Sequence, residues 1–167
     1  MIAAVLCAIC LLVSTVWIHA WGLGLLRNKV QLRSISDHFS LAMIVSSVFV
    51  LHIIEISFYA VAIWFLNVII DIGDIVGARE FSGMDYFYYS AETFTALGSG
   101  DLTATQGLRL IAAIEPLNGL VLIAWTGAFT YWAMEHYWTM GKSGLSTDAK
   151  SAKYDRLANL AHKDTTN

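Results

Sequence analysis

The sequence has few of the residues that soluble proteins place on their surfaces and in their linkers. Only 14% of its 167 residues are charged and 57% are hydrophobic, whereas a soluble domain carries about 25% charged residues. Pro116 is the only proline, and no segment is rich in serine and glycine, so nothing in the composition marks off a second domain. The net charge of −3 and the lack of a basic cluster argue against nucleic acid as a partner.

Cysteine is scarce as well. Cys7 and Cys10 have the spacing of a redox motif. Both lie inside a long apolar block, where thiols pack as small hydrophobic groups. We therefore expect no disulfide framework and no redox role, and we predict no cofactor.

Long apolar runs, in contrast, are abundant. Those at 1–26, 39–70 and 108–138 are long enough to cross a bilayer as helices, joined by a linker at 27–38 and followed by a tail at 139–167. The first run lacks a basic start and a small-residue cleavage site, which predicts a retained span and not a signal peptide. The fold class predicted is an all-α membrane protein with three transmembrane helices.

The distribution of lysine and arginine predicts the orientation of the spans. The linker 27–38 carries three basic residues and the tail 139–167 carries five, whereas the segment 71–85 carries four acids and one arginine. By the positive-inside rule the linker and the tail are cytoplasmic, and the amino terminus is outside. The stretch 80–103 is too short and too broken to span, and we expect it to re-enter the membrane from the outer face.

A helix and a glycine-rich segment follow each other inside that stretch. Ser82 and Asp85 are typical of a helix start and predict a short helix over 83–95. Residues 96–101 then read Ala-Leu-Gly-Ser-Gly-Asp. Carbonyls that all point the same way require backbone angles that residues with a Cβ tolerate poorly, so the two glycines favour a carbonyl-lined ion path.

This segment resembles the pore loop of tetrameric potassium channels, whose filter reads Thr-Val-Gly-Tyr-Gly-Asp. The resemblance implies an ion channel and not an enzyme. It also implies that four chains form a homotetramer in membrane lipid and that filter carbonyls replace the hydration shell of a permeant potassium or sodium ion. It implies an outer helix at 39–70, a pore helix at 83–95 and an inner helix at 108–138. The potassium ligands would be the carbonyls of Ala96, Leu97, Gly98 and Ser99, within a filter segment of Thr95, Ala96, Leu97, Gly98, Ser99, Gly100 and Asp101.

Two positions differ from the family's filter. Ala96 stands where a threonine hydroxyl coordinates the innermost ion, unless Thr95 shifts to replace it. Ser99 stands where a tyrosine ring packs behind the filter, and losing that ring removes aromatic packing. We therefore predict conduction of monovalent cations with weakened selectivity for potassium over sodium, with a collapsed filter as the alternative.

Glu92 and Asp101 align with a carboxyl pair that braces the filter in some bacterial potassium channels. The resemblance implies that they lie side by side behind the filter. Two carboxylates in one buried site do not both ionise cheaply, which suggests a strut that shares one proton. The alternative is that Asp101 is an exposed acid at the pore mouth.

Three residues of the last span are candidates for a hinge. Gly119 has the spacing of the hinge glycine of bacterial channels, Gly127 is a second candidate, and Pro116 frees a carbonyl of the preceding turn. The alternative is that these small residues only allow helices to pack closely.

Polar residues inside the spans form a further candidate site. His52 and Glu55 share one helix face, as do Glu115 and Asn118. These pairs resemble those of short bacterial channel-like proteins with an extra amino-terminal span, which implies the plasma (inner) membrane of a bacterium. We consider a hydrogen-bonded strut, a proton sensor at His52, or a metal bound by His52, Glu55 and Glu115. His19 is isolated in the sequence, and we expect it only to pack or to reach an interface.

Two other functions compete with a channel. One is a membrane enzyme or a metal-handling or proton-sensing protein that reuses the pore fold, for which the sequence offers no nucleophile and base pair. The other is a non-conducting regulatory subunit, which the altered filter would allow.

Overall fold

The computed structural model describes residues 2–32, 37–77 and 82–164, with side chains at 2–28, 41–77 and 82–138. Three of its helices contain apolar stretches long enough to cross a membrane: Ile2–Asn28, Leu41–Val68 and Leu108–Trp138. The predicted all-α, three-span fold is thereby confirmed. The elements are α1 (Ile2–Leu32), α2 (Asp37–Val68), β1 (Ile75–Gly77), α3 (Gly83–Phe94), β2 (Leu102–Ala104) and α4 (Leu108–Asp164).

Two helices run beyond the boundaries expected from hydropathy. Helix α1 continues to Leu32, so the first part of the expected linker is helical, and residues 33–36 lie outside the described residues. Helix α4 continues through Pro116 and through the expected tail to Asp164. Hydropathy indicates where a helix leaves the apolar layer, but the helix itself continues until a residue breaks it. No proline follows Pro116, so no proline ends α4 at the boundary of the apolar run.

Helices α1 and α4 run parallel to each other, and α2 runs antiparallel to both. Thr15 of α1 accepts from Asn118 of α4 at 2.6 Å, and His19, one turn later, lies 3.4 Å from Thr126, so both helices advance together. Asn118 also donates to Tyr59 of α2, whereas His19 contacts Glu55, so α2 advances in the opposite direction. Between the helices lies a core of large buried side chains from every helix. It includes Leu11, Tyr59, Ile63, Phe94, Ile111 and Leu122.

Helix α3 descends to the middle of the helix bundle and the chain then returns. Its start is the one predicted, because the Ser82 N–H donates to Asp85 Oδ2 at 2.6 Å and the helix begins at Gly83. Its last residue, Phe94, lies against Gly119, the twelfth of the 31 residues of the third span. Strand β2 then pairs antiparallel with β1 at the end where α3 began, which confirms a re-entrant loop.

Candidate functional site

Every second residue of the backbone after α3 has a positive φ. Ala96, Gly98 and Gly100 have φ of 57°, 57° and 78°, whereas Leu97 and Ser99 between them are not in the positive-φ region. In an ordinary strand, successive carbonyls point to opposite sides. A positive φ at every second residue is the condition under which successive carbonyls can turn toward one side, as a path for a dehydrated cation requires.

Ala96 is the one residue of this alternation that has a Cβ and a positive φ. A left-handed conformation costs such a residue about 1–2 kcal/mol. Thr95 does not supply the hydroxyl that Ala96 lacks, because its Oγ1 donates to the Ala91 carbonyl of its own helix at 2.7 Å. The side-chain ligand of the family's innermost site is thus absent from the described part of this filter.

Ser99 connects the two carboxyl groups that were expected side by side. Its N–H donates to Glu92 Oε1 at 3.0 Å, and its hydroxyl contacts that oxygen and also Asp101 Oδ1, the latter at 2.7 Å. Among the described residues, no direct hydrogen bond joins Glu92 to Asp101. The hydrogen bond from Ser99 holds the pKa of Asp101 below its ordinary value.

Tyr88 joins this network from the pore helix. Its hydroxyl lies 3.2 Å from both Ser99 Oγ and Glu92 Oε1. A phenol therefore lies behind the filter although Ser99 replaces the family's tyrosine. Sequence reasoning missed this role, and the one available signal was the spacing of four residues between Tyr88 and Glu92, which places both on one helix face.

The candidate hinge residues differ in their surroundings. A Cβ at Gly119 would clash with the backbone carbonyl of Phe94, whereas a Cβ at Gly127 would meet no atom within 4 Å. Gly119 therefore allows the inner helix to touch the end of the pore helix. Pro116 lies within the continuous helix α4. A hinge at any of the three stays a prediction.

Comparison with known families agrees with this pore-loop geometry. The profile of a family described as ion channel matches residues 39–135, which is more than half of the chain. The chain belongs to the ion channel family. The resemblance to the potassium-channel pore family is thereby confirmed. No curated protein and no solved structure matches the chain significantly.

The matched part of this ion channel begins with α2 and includes the pore loop and the third span, so α1 lies outside it. Helix α1 nevertheless packs against both α2 and α4. The family accounts for the pore, and the additional helix brings its own polar residues into the protein interior.

One of those residues is His19. It forms a cluster, here called the His–Glu cluster, with His52, Glu55 and Thr126. Glu55 Oε1 lies 2.7 Å from His19 Nδ1, and Glu55 Oε2 lies 2.9 Å from His52 Nδ1. On the opposite side of the rings, Thr126 Oγ1 lies 3.0 Å from His52 Nε2 and 3.4 Å from His19 Nε2. Three helices of the channel thus meet at one polar site.

Most of this cluster is buried within the chain. His19 and Glu55 are fully buried, and the His52 side chain is 14% exposed. The rings of Trp125 and Phe94 lie against His19 and His52, with centroids 5.3 and 6.0 Å away. The expectation that His19 only packs or reaches an interface is therefore wrong.

Glu115 and Asn118 lie outside the His–Glu cluster, which corrects their expected grouping with His52 and Glu55. Glu115 Oε1 lies 2.6 Å from the hydroxyl of Ser90 in the pore helix. The amide of Asn118 donates to Thr15 at 2.6 Å and to the hydroxyl of Tyr59 at 3.1 Å. The spacing of three residues places the two members of each pair on one helix face. Which neighbour that face meets depends on how the helices are rotated against one another.

Proposed function

We propose that the protein is a homotetrameric cation channel in which the carbonyls of Ala96, Leu97, Gly98 and Ser99 coordinate the permeant ion. The observation that supports this most is the alternation of backbone handedness from Ala96 to Gly100. One chain contributes one such segment, and a ring of carbonyls around an ion requires several. Four copies are the number implied by the potassium-channel resemblance.

The permeant ions we propose are potassium and, less well discriminated, sodium. The innermost site lacks a threonine hydroxyl at Ala96. The ring behind the filter comes from Tyr88, which reaches Ser99 through its hydroxyl at 3.2 Å and is not part of the filter strand itself. A filter braced by polar contacts at one point should hold its width less firmly than one packed against an aromatic ring.

We also propose the orientation given by the positive-inside rule, in the plasma membrane of a bacterium. Because α1 and α4 run parallel, the amino terminus lies at the same end as the entrance to the pore loop. The carboxyl end of α1, which includes Arg27 and Lys29 of the basic linker, then lies at the opposite end. This arrangement agrees with an outer pore entrance and a cytoplasmic linker.

The test is a reversal potential in a planar bilayer with potassium on one side and sodium on the other. Native mass spectrometry of the same preparation gives the number of chains. We expect a tetramer with a cation current that reverses between zero and the potassium equilibrium potential. Gly98→Val should abolish the current, because valine is strained at a φ of 57°. Gly24→Val is the matched control, since a Cβ there meets nothing within 4 Å.

A verified tetramer without current would contradict conduction and would favour the non-conducting regulatory alternative. A current that is equal in wild type and Gly98→Val would contradict the assignment of the filter. A monomer or dimer would contradict the shared pore. A reversal at the potassium equilibrium potential would retain the channel and overturn the weakened selectivity.

A further inference from the structure

We propose that the His–Glu cluster binds one divalent transition-metal ion of the zinc class, with His19, His52 and Glu55 as its protein ligands. One ligand atom from each of these three residues lies within 4.8 Å of the others. Imidazole nitrogen and carboxylate oxygen are the donors that zinc and similar ions prefer, and three protein ligands with one open position are a common zinc set. This inference does not depend on whether the pore conducts.

The charge of the cluster favours a cation. Among the side chains that the structure describes, the ion-pair partners of Glu55 are these two histidines, with no lysine or arginine. When both imidazoles are neutral, the buried site carries the full negative charge of the carboxylate. An uncompensated charge without water is costly, and a divalent ion between the three ligands would remove that cost.

The hydrogen bonds also leave a place for a cation. Without one, both Nδ1–H groups donate to Glu55, and both Nε2 atoms then face Thr126 with lone pairs. The hydroxyl of Thr126 has a single proton, so one Nε2 lacks a donor. If a metal replaces the protons at Nδ1, both rings carry Nε2–H, and the two lone pairs of Thr126 Oγ1 can accept from both.

Thr126 would therefore be an outer-sphere residue. A histidine that binds a metal through one ring nitrogen usually donates its other N–H to an oxygen, which fixes the ring and its tautomer. Thr126 Oγ1, at 3.0 and 3.4 Å from the two Nε2 atoms, is placed for this role. The ion would join α1 to α2, and Thr126 would connect both to α4, one residue from the Trp125 ring that packs on His19.

The experiment measures zinc in the purified full-length protein. The protein is treated with a chelator, equilibrated with a small excess of ZnCl₂ and freed of unbound ion, and zinc per chain is then measured by mass spectrometry. Cobalt(II) is added to a parallel sample, because its visible absorption reports the coordination geometry. The variants are His19→Gln with His52→Gln, and Thr126→Val. The matched control is His136→Gln, a histidine of α4 outside the cluster.

We expect about one zinc per chain in wild type and in His136→Gln, and less than a tenth of that in the double variant. Thr126→Val should bind zinc 10–100-fold more weakly, as is typical of lost outer-sphere partners. Circular dichroism spectra and melting temperatures of all variants, measured in chelator, show whether a variant that binds no zinc is still folded. The proposal would be overturned if wild type bound no stoichiometric zinc and showed no cobalt absorption. It would also be overturned if a folded double variant still bound zinc. Either result would favour a purely hydrogen-bonded cluster.

Discussion

Gly119 of the inner helix lies directly against the backbone carbonyl of Phe94, the last residue of the pore helix, with no room for a Cβ between them. The neighbouring atom is backbone and cannot rotate away. Any larger residue at 119 must therefore push α4 and α3 apart. This displacement would also move Phe94, which directly precedes the filter.

Gly119→Ala should destabilise the protein by about 1–3 kcal/mol, the usual cost of overpacking. Gly127→Ala is the control in the same helix, and should stabilise it by up to about 1 kcal/mol, because nothing lies near that Cβ and alanine favours a helix. Thermal unfolding in detergent measures both. Equal melting temperatures for the two variants would contradict the packing role. A changed open probability in Gly127→Ala without lost stability would favour Gly127 as the hinge.

Ala96→Gly should leave stability unchanged or raise it by up to about 1.5 kcal/mol. Glycine removes a left-handed strain of about 1–2 kcal/mol and adds about 0.5–1 kcal/mol of backbone entropy cost. Ala96→Thr, which restores the family's residue, should instead destabilise the protein by about 1–3 kcal/mol, because a β-branched residue is strained at a φ of 57°. Thermal unfolding measures the stability of both variants, and the reversal potential measures their selectivity. A stable and more potassium-selective Ala96→Thr would contradict this reasoning.

Ser99→Ala should move the acid inhibition of the current to higher pH. The hydrogen bond from Ser99 holds the pKa of Asp101 below its ordinary value, so Asp101 stays ionised to lower pH and attracts cations to the mouth. Without the hydroxyl that pKa rises, and the charge is lost earlier as the pH falls. Ser47→Ala is the control, since among the described residues its hydroxyl bonds to the Met43 carbonyl of its own helix. The same midpoint of inhibition in all three proteins would contradict the role of Ser99.

Glu115→Gln should retain stability within about 1 kcal/mol, whereas Glu115→Ala should lose about 2–4 kcal/mol. Ser90 Oγ lies 3.0 Å from the Ile56 carbonyl and 2.6 Å from Glu115 Oε1, and its single proton can serve only one of them. A protonated Glu115 completes both bonds, and the amide of glutamine can donate in the same way. Urea-induced unfolding compares the variants. A Glu115→Gln variant as unstable as Glu115→Ala would show that a carboxylate is required.

Features set by local spacing were predictable from the sequence, and features set by contacts between helices were not. The start of α3 depends on Ser82 and Asp85, three residues apart, and the left-handed positions at Gly98 and Gly100 depend on the glycines themselves. His19 joins His52 and Glu55 only because particular faces of α1 and α2 meet. Side-chain packing along both helices decides that rotation, and hydrophobic periodicity is weak in helices that are apolar all round.

The continuity of α4 gives the channel a lever. With 57 residues and about 1.5 Å of rise per residue, this helix is roughly 85 Å long, whereas the hydrocarbon layer is about 30 Å thick. Its apolar span ends at Trp138, so 26 of its 57 residues, about 39 Å of helix, continue beyond that span. Pivoting it by about 10° at Gly127 would swing Asp164, some 55 Å away along the axis, through roughly 10 Å. A large displacement of the distant end would therefore correspond to a small rotation of the helix next to the pore.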